Sequence, residues 1–211
     1  MGVKERRERE RAARRSAVLE ATRSLVRERG FNGTTTKQVA ERSELSEATL
    51  FWYFKSKDEI FVSLLFEGIE FMTEGLESIR SSDALPSEKL YRVWAFFNEV
   101  QHEHPEYFQV FSNLAHPQST SAVTDDVKTE IRNRSGDNFR LFATLLEETI
   151  GTPNARLVAD VMWGAMVGLV ILRDSRLNLG AKAHPSEREM KEAFEILLRG
   201  IAPELAQGDR A

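Results

Sequence analysis

Apolar residues recur three and four positions apart along almost the whole chain, the spacing of a helix with one buried face. No stretch alternates with period two for long enough to predict a strand. Gly, Pro and Ser/Asp punctuation divides the pattern into about nine helices. The first is predicted from about Ala12 to Arg29, with Val18, Ala21, Leu25 and Val26 on one face and Gly30 as its C-cap. Three short elements follow before Lys57. Longer helices are then predicted from about Lys57 to Arg80, Pro86 to Glu103, Glu106 to Ala115, Thr124 to Ile150, Pro153 to Leu177 and Ser186 to Ile201. Thr152 before Pro153 reads as an N-cap with proline at the first helical position. The fold class is therefore all-α, with no internal repeat.

Capping chemistry sets the order in the short elements. Thr35 with Gln38 fits a capping box and opens a helix whose inward face is Val39 and Ala40. Ser43-Glu44-Leu45 stops it after two turns. Ser46 reads as a second N-cap, opening a helix from Glu47 to Tyr53 with Leu50 and Phe54 pointing inward. Ser56 with Glu59 is a further capping box. Two short helices across a three-residue turn, packed on a preceding amphipathic helix, make a helix-turn-helix, whose second helix fits the DNA major groove.

Charge sharpens this reading. The 211 residues carry a net charge of -4, but residues 1–60 hold 14 Lys and Arg against 10 Asp and Glu. A basic head on an acidic body suits polyanion binding by the head alone. Zero cysteines exclude disulfide staples, thiol catalysis and cysteine-ligated zinc. The N-terminus is charged from Lys4 onward, without the apolar segment of a secretory signal, and a cytoplasmic location is expected. No apolar run is read as a membrane span, the longest, Leu157 to Leu172, being broken by Asp160.

Gly30-Phe31, Thr34-Thr35, Val39-Ala40, Ser46, Thr49-Leu50-Phe51, Tyr53-Phe54 and Ser56-Lys57-Asp58-Glu59, in this order and spacing, resemble the signature of the TetR family of transcriptional regulators. The resemblance covers about residues 12–60. It implies a homodimer with a DNA-binding domain over residues 1–56, basic arm included, and a ligand-binding and dimerisation domain over residues 57–211. It implies a transcriptional regulator, not an enzyme, a repressor released from a palindromic double-stranded operator by a small ligand, with no cofactor and no metal. The aromatic residues of the middle helices suggest that this ligand is largely apolar. Thr35, Thr36 and Lys37 should meet phosphates, Glu47, Ala48 and Thr49 should face base edges, Trp52 and Tyr53 should lie along the backbone, and Lys57 should pair with another phosphate. Ser46 opens the reading helix within the same set. Three positions depart from the family pattern: Glu44 where glycine is usual, Ala48 for a frequent glycine, and Phe51 for the usual tyrosine. A glutamate with positive φ at the turn would cost about 1 kcal/mol. Phe54 is expected in the core. The arginines of the arm, Arg6 through Arg15, carry no motif, and either a groove contact or a solvated tail fits them.

The stretch Leu157–Leu172 is apolar on nearly every side, so one face should meet its own bundle and another a second subunit. Trp163, Gly164, Val167, Gly168, Phe194, Leu197 and Leu198 are the predicted seam. Aromatic residues in the middle helices offer a ligand pocket, with Phe66, Trp94, Phe97, His102, Phe108, Phe111 and Phe142 as candidate lining. Two alternatives remain open. One is an all-helical enzyme, possible through Glu99-x-x-His102, although the second such pair that a di-metal bundle needs is missing. The other is a regulator controlled by a protein partner.

Overall fold

The computed structural model describes residues 2–114, 123–182 and 184–202, and among these it holds nine α-helices and no strand. They are α1 (Val3–Gly33), α2 (Thr36–Arg42), α3 (Glu47–Tyr53), α4 (Lys57–Ser81), α5 (Pro86–Glu103), α6 (Pro105–Leu114), α7 (Asp125–Ile150), α8 (Ala155–Asn178) and α9 (Glu187–Ile201). Two helices, α1 and α8, differ from expectation by more than one residue. The first helix begins at Val3, nine residues before Ala12, where Lys4–Glu8 and Arg6–Glu10 pair one turn apart and support a solvated helix. Gly30 still interrupts it, at φ 74, and residues 31–33 form an extra turn beyond the kink. The other, α8, starts at Ala155 rather than Pro153. The Thr152 hydroxyl accepts from the Asn154 amide at 3.3 Å, closing a local turn instead of capping a helix at Pro153. The predicted break at residues 116–121 lies outside the described residues.

The chain divides into two compact units. The first comprises Met1–Met72 with Phe97–Ser135, the second Thr73–Phe96 with Gly136–Ala211. In the first unit, Val18, Leu25, Val39, Ala40, Leu50, Phe54 and Ile60 form a small core that fixes α2 and α3 on α1. A second core, around Val26, Phe61, Leu64, Leu65, Tyr107 and Val110, joins α1, α4 and α6. Glu106 ties α6 to α1: its fully buried carboxylate takes Arg27 Nε at 2.6 Å and Nη2 at 2.8 Å.

The second unit packs Leu90, Val93, Trp94, Leu145, Leu146, Met162, Met166 and Phe194. One face of α8 is buried through Ala155, Ala159, Met162, Met166 and Val170, spaced every three or four residues. Leu157, Val161, Ile171 and Leu172 on its other side stay exposed, and a Cβ at Gly164 or Gly168 would meet nothing within 4 Å. Contrary to the sequence reading, α8 is long and apolar enough to cross a membrane by length and composition, with mean hydropathy 1.8.

Candidate nucleic-acid interface

The reading unit is built by short-range chemistry. Thr35 caps α2, accepting from the Gln38 amide at 3.3 Å, while Gln38 Oε1 accepts from the Thr35 amide and hydroxyl at 3.0 Å. After α2 the chain reverses at Glu44, which adopts φ 56, the left-handed conformation that the missing glycine would have favoured. The Leu45 amide then donates to the Ala40 carbonyl at 2.9 Å, closing the turn. Ser46 caps α3 by accepting from the Thr49 amide at 3.1 Å. Leu50 and Phe54 are fully buried, so they hold α3 on one side and turn its other side out.

Each residue expected at DNA can now be placed. Glu47, Ala48 and Thr49 are exposed on the first turn of α3. Glu47 is held in one orientation by the Thr36 hydroxyl, which donates to its Oε2 at 3.0 Å and links the starts of α2 and α3. Thr35 and Lys37 are exposed and Thr36 half-buried. The Ser46 hydroxyl lies 2.8 Å from that of Thr49 besides capping the helix. Trp52 is 66% exposed and meets the half-buried Tyr53 edge-on, ring centres 4.8 Å apart. Lys57 departs most from a simple phosphate ligand. Its ammonium lies over the rings of Phe31 and Phe61, at 5.9 and 5.2 Å, and burial there pushes its pKa down. The capping box read at Ser56 is half formed: Ser56 Oγ accepts from the Glu59 amide at 3.1 Å, but the Glu59 carboxylate takes the Lys55 amide at 2.7 Å instead.

Several supporting residues escaped the sequence reading. Arg15 donates to the Tyr53 carbonyl, lies over the Phe54 ring at 3.9 Å and reaches Glu59 at 3.5 Å, bracing the end of α3 from α1. Arg11 sits 5.5 Å from the Trp52 ring centre. Arg42 ties α2 to α1 through Ser24 and Glu28, holding the Glu28 carboxyl below the usual range. The signal was present in helical phase, since Arg11 and Arg15 lie on the face of Val18 and Thr22.

The remaining candidates are distributed as follows. In the first unit, Phe97 is buried, Phe108 is half-buried, and Phe66 packs on the core with Arg134 4.6 Å above its ring. His102 is on the exposed side of α5, its Nδ1 3.3 Å from the Asn98 carbonyl. Among the described residues no group of three or more His, Asp or Glu is arranged to hold a metal ion. In the second unit Trp94 and Phe142 are core residues, Trp94 stacking on Phe194 at 5.1 Å. The Phe111 side chain lies outside the described residues. Of the seam residues, Phe194 and Leu198 are corrected: both are buried within their own unit and are not available to a partner. Trp163, Val167, Gly168 and Leu197 are half-buried and Gly164 exposed, while Ile196, absent from the predicted set, is the strongly exposed apolar residue of α9. A polar cavity of about 350 Å³ lies in the first unit beside Glu20, Arg23, Ser24, Arg27, Glu28 and His104. Its arginines are engaged, Arg23 with Glu67 at 3.3 Å and Arg27 with Glu106.

Comparison with known proteins bears on this geometry. The model of the tetR family of bacterial regulatory proteins matches residues 18–64, the stretch from the middle of α1 into α4. The HTH-type transcriptional repressor KstR2 of Mycolicibacterium smegmatis is 23% identical over 151 residues, 71% of this chain and 71% of that protein. The fold is shared with the transcriptional regulator FadR of Bacillus subtilis, solved in complex with stearoyl-CoA. The TM-score is 0.65 at 18% identity, over 88% of this chain and 98% of that one. AibR, solved with isovaleryl coenzyme A and operator DNA, gives a TM-score of 0.64 at 14% identity, over 90% and 98% of the two chains.

Proposed function

We propose that this chain, which belongs to the tetR family of bacterial regulatory proteins, is a homodimeric cytoplasmic repressor that an acyl thioester releases from its operator. One observation carries the DNA half of the reading. The first turn of α3 presents Glu47, Ala48 and Thr49 to solvent, while Ser46, Glu44 and Thr36 fix where that turn points. A rigid helix end with short side chains suits major-groove readout: Glu47 accepting from a cytosine amine, Ala48 and the Thr49 methyl against thymine methyls. Thr35, Thr36, Lys37, Trp52 and Tyr53 would hold the phosphates on either side, positioning α3 without reading sequence, and Lys57 would join them by turning away from the Phe31 and Phe61 rings. Residues 1–56 are thus assigned to DNA, and 57–211 to ligand and partner subunit. The test is footprinting on the DNA upstream of the chain's own gene. A roughly palindromic protected site at moderate salt is expected, and no protected site would overturn the reading.

For the inducer, the structural neighbours FadR and AibR each carry an acyl-coenzyme A, with a long tail in one and a short branched tail in the other. The aromatic middle helices of this chain suit such a tail better than a polar effector. The ligand must bind the released state more tightly than the DNA-bound state, since equal affinity would shift nothing. Titrating acyl-coenzyme A of increasing chain length into the operator complex should release the DNA, with free coenzyme A as the control. If no acyl chain releases it, the inducer class is wrong and the DNA assignment stands separately.

A further inference from the structure

The first four turns of α1, before the small core begins at Val18, are solvated helix. At 100° per residue, Lys4, Arg7, Arg11, Arg14 and Arg15 fall on one side, the side that further along carries the buried Val18, Thr22 and Leu25. Arg6 and Arg9 fall on the other side. The stripe is thus one continuous face, and its inner end is in contact with the reading helix: Arg11 lies at Trp52 and Arg15 holds the Tyr53 carbonyl. Among the described residues, Arg7, Arg11 and Arg14 have no carboxylate partner, while Lys4 at the outer end of the stripe pairs with Glu8 at 4.0 Å and, off the stripe, Arg6 pairs with Glu10 at 3.7 Å. Three exposed guanidinium groups therefore follow one another along the arm, of which Arg11 lies at the exposed Trp52.

We infer that this helical arm is a second DNA-contacting element, laid along the phosphate backbone next to the half-site that α3 reads. The inference rests on the DNA-binding reading above and names the partner by its chemistry, a duplex phosphate backbone. From Lys4 to Arg15 the helix rises roughly 16 Å, a length over which a duplex presents about five phosphates per strand along its axis. Three properties suit phosphates rather than base edges. The basic face is straight, so it cannot follow a groove around the duplex as an extended arm would. Its side chains are long and flexible, unlike the short set on α3. Nothing polar and short accompanies them to discriminate one base from another. The arm would raise affinity and widen the footprint without altering which sequence is chosen.

The experiment compares three full-length proteins on the footprinted operator across a salt series: the parent, a stripe variant with Arg7→Gln, Arg11→Gln and Arg14→Gln, and an off-stripe variant with Arg6→Gln and Arg9→Gln. Thermal unfolding should be alike in all three, since every substituted side chain is exposed. The slope of log affinity against log salt should shrink by roughly 0.9 for each phosphate that is no longer neutralised, hence by roughly 5 for three arginines on both arms of a dimer. The ratio of operator to non-operator affinity should hold in the stripe variant, and the off-stripe slope should stay near the parent's. An unchanged stripe slope would overturn the arm, and so would equal reductions from both faces, which describe an unoriented tail. A collapse of the specificity ratio in the stripe variant would also overturn it, by making the arm a base reader. Failure of the parent itself to bind the operator would instead defeat the DNA reading on which the arm depends.

Discussion

At the scale of single residues, Glu44 joins a departure visible in the sequence to a consequence visible in the backbone. The turn between α2 and α3 keeps its geometry, and a glutamate occupies φ 56 to do so. For a residue with a Cβ that conformation is strained by about 1–2 kcal/mol, partly offset because glycine loses more entropy on folding. Glu44→Gly is therefore expected to stabilise the protein by about 0.5–1 kcal/mol, read as a raised urea midpoint at unchanged slope. Operator affinity should be unaffected, because glycine keeps the same left-handed turn and Glu44 is not on the reading face. Gly75 is the opposite case. A Cβ there would overlap the Phe96 ring, so Gly75→Ala should cost about 1–3 kcal/mol through overpacking. Glu44 was readable because it broke a known pattern. Gly75 was not, because α4 periodicity does not say which ring of α5 comes closest.

At the scale of elements, the sequence was most informative where structure is local. Thr35 with Gln38 and Ser46 lie where the caps were read, since a cap needs only side chains within three residues. Contacts between helices were far less legible. Phe194 and Leu198 were read as seam because α9 is amphipathic, but an apolar stripe looks the same whether its own subunit or a partner covers it. Arg27 and Glu106 are 79 residues apart and no local rule couples them. With Glu106 fully buried, Arg27→Met leaves its carboxylate with only His104, 3.4 Å away, and should cost about 3 kcal/mol, less than a wholly enclosed pair would because Arg27 itself is half exposed. Adding Glu106→Leu should recover most of that loss, so a double-mutant cycle by chemical unfolding checks the pair. The cap of α9 gives a pH signature. Hydrogen bonds from the Ser186 hydroxyl and amide, with His184 3.1 Å away, hold the Glu189 carboxyl down to about 2. A depressed carboxylate stabilises the fold above its ordinary pKa near 4.5, and that contribution is lost as the pH falls towards 2. Glu189→Gln should flatten the decline in unfolding midpoint between pH 5 and pH 2.5, and an undiminished decline would remove the cap from the account.

At the scale of the whole molecule, α8 poses a question that one chain does not answer. Its buried stripe is satisfied by its own unit, yet Leu157, Val161, Ile171 and Leu172 remain in solvent, on a helix apolar enough to pass for a membrane span. Only 28% of its apolar stretch is buried, so either lipid or protein must cover the rest. Gly164 and Gly168, with open space at their Cβ positions, sit among these residues and allow another helix to approach closely. A second copy of the chain is the cover that the DNA reading requires, because a two-fold pair of heads is what matches a palindromic operator. Val161→Glu with Leu172→Glu places charge on the exposed face and leaves Met162, Met166 and Val170 packed. The variant should elute at the 24.0 kDa monomer mass with helicity intact, where the parent elutes at twice that mass. Its operator affinity should fall by at least ~10²-fold, since each head then binds its half-site without the other's effective concentration. A parent that is already monomeric in free solution, or a variant that still dimerises, would mean that something other than a second copy covers α8.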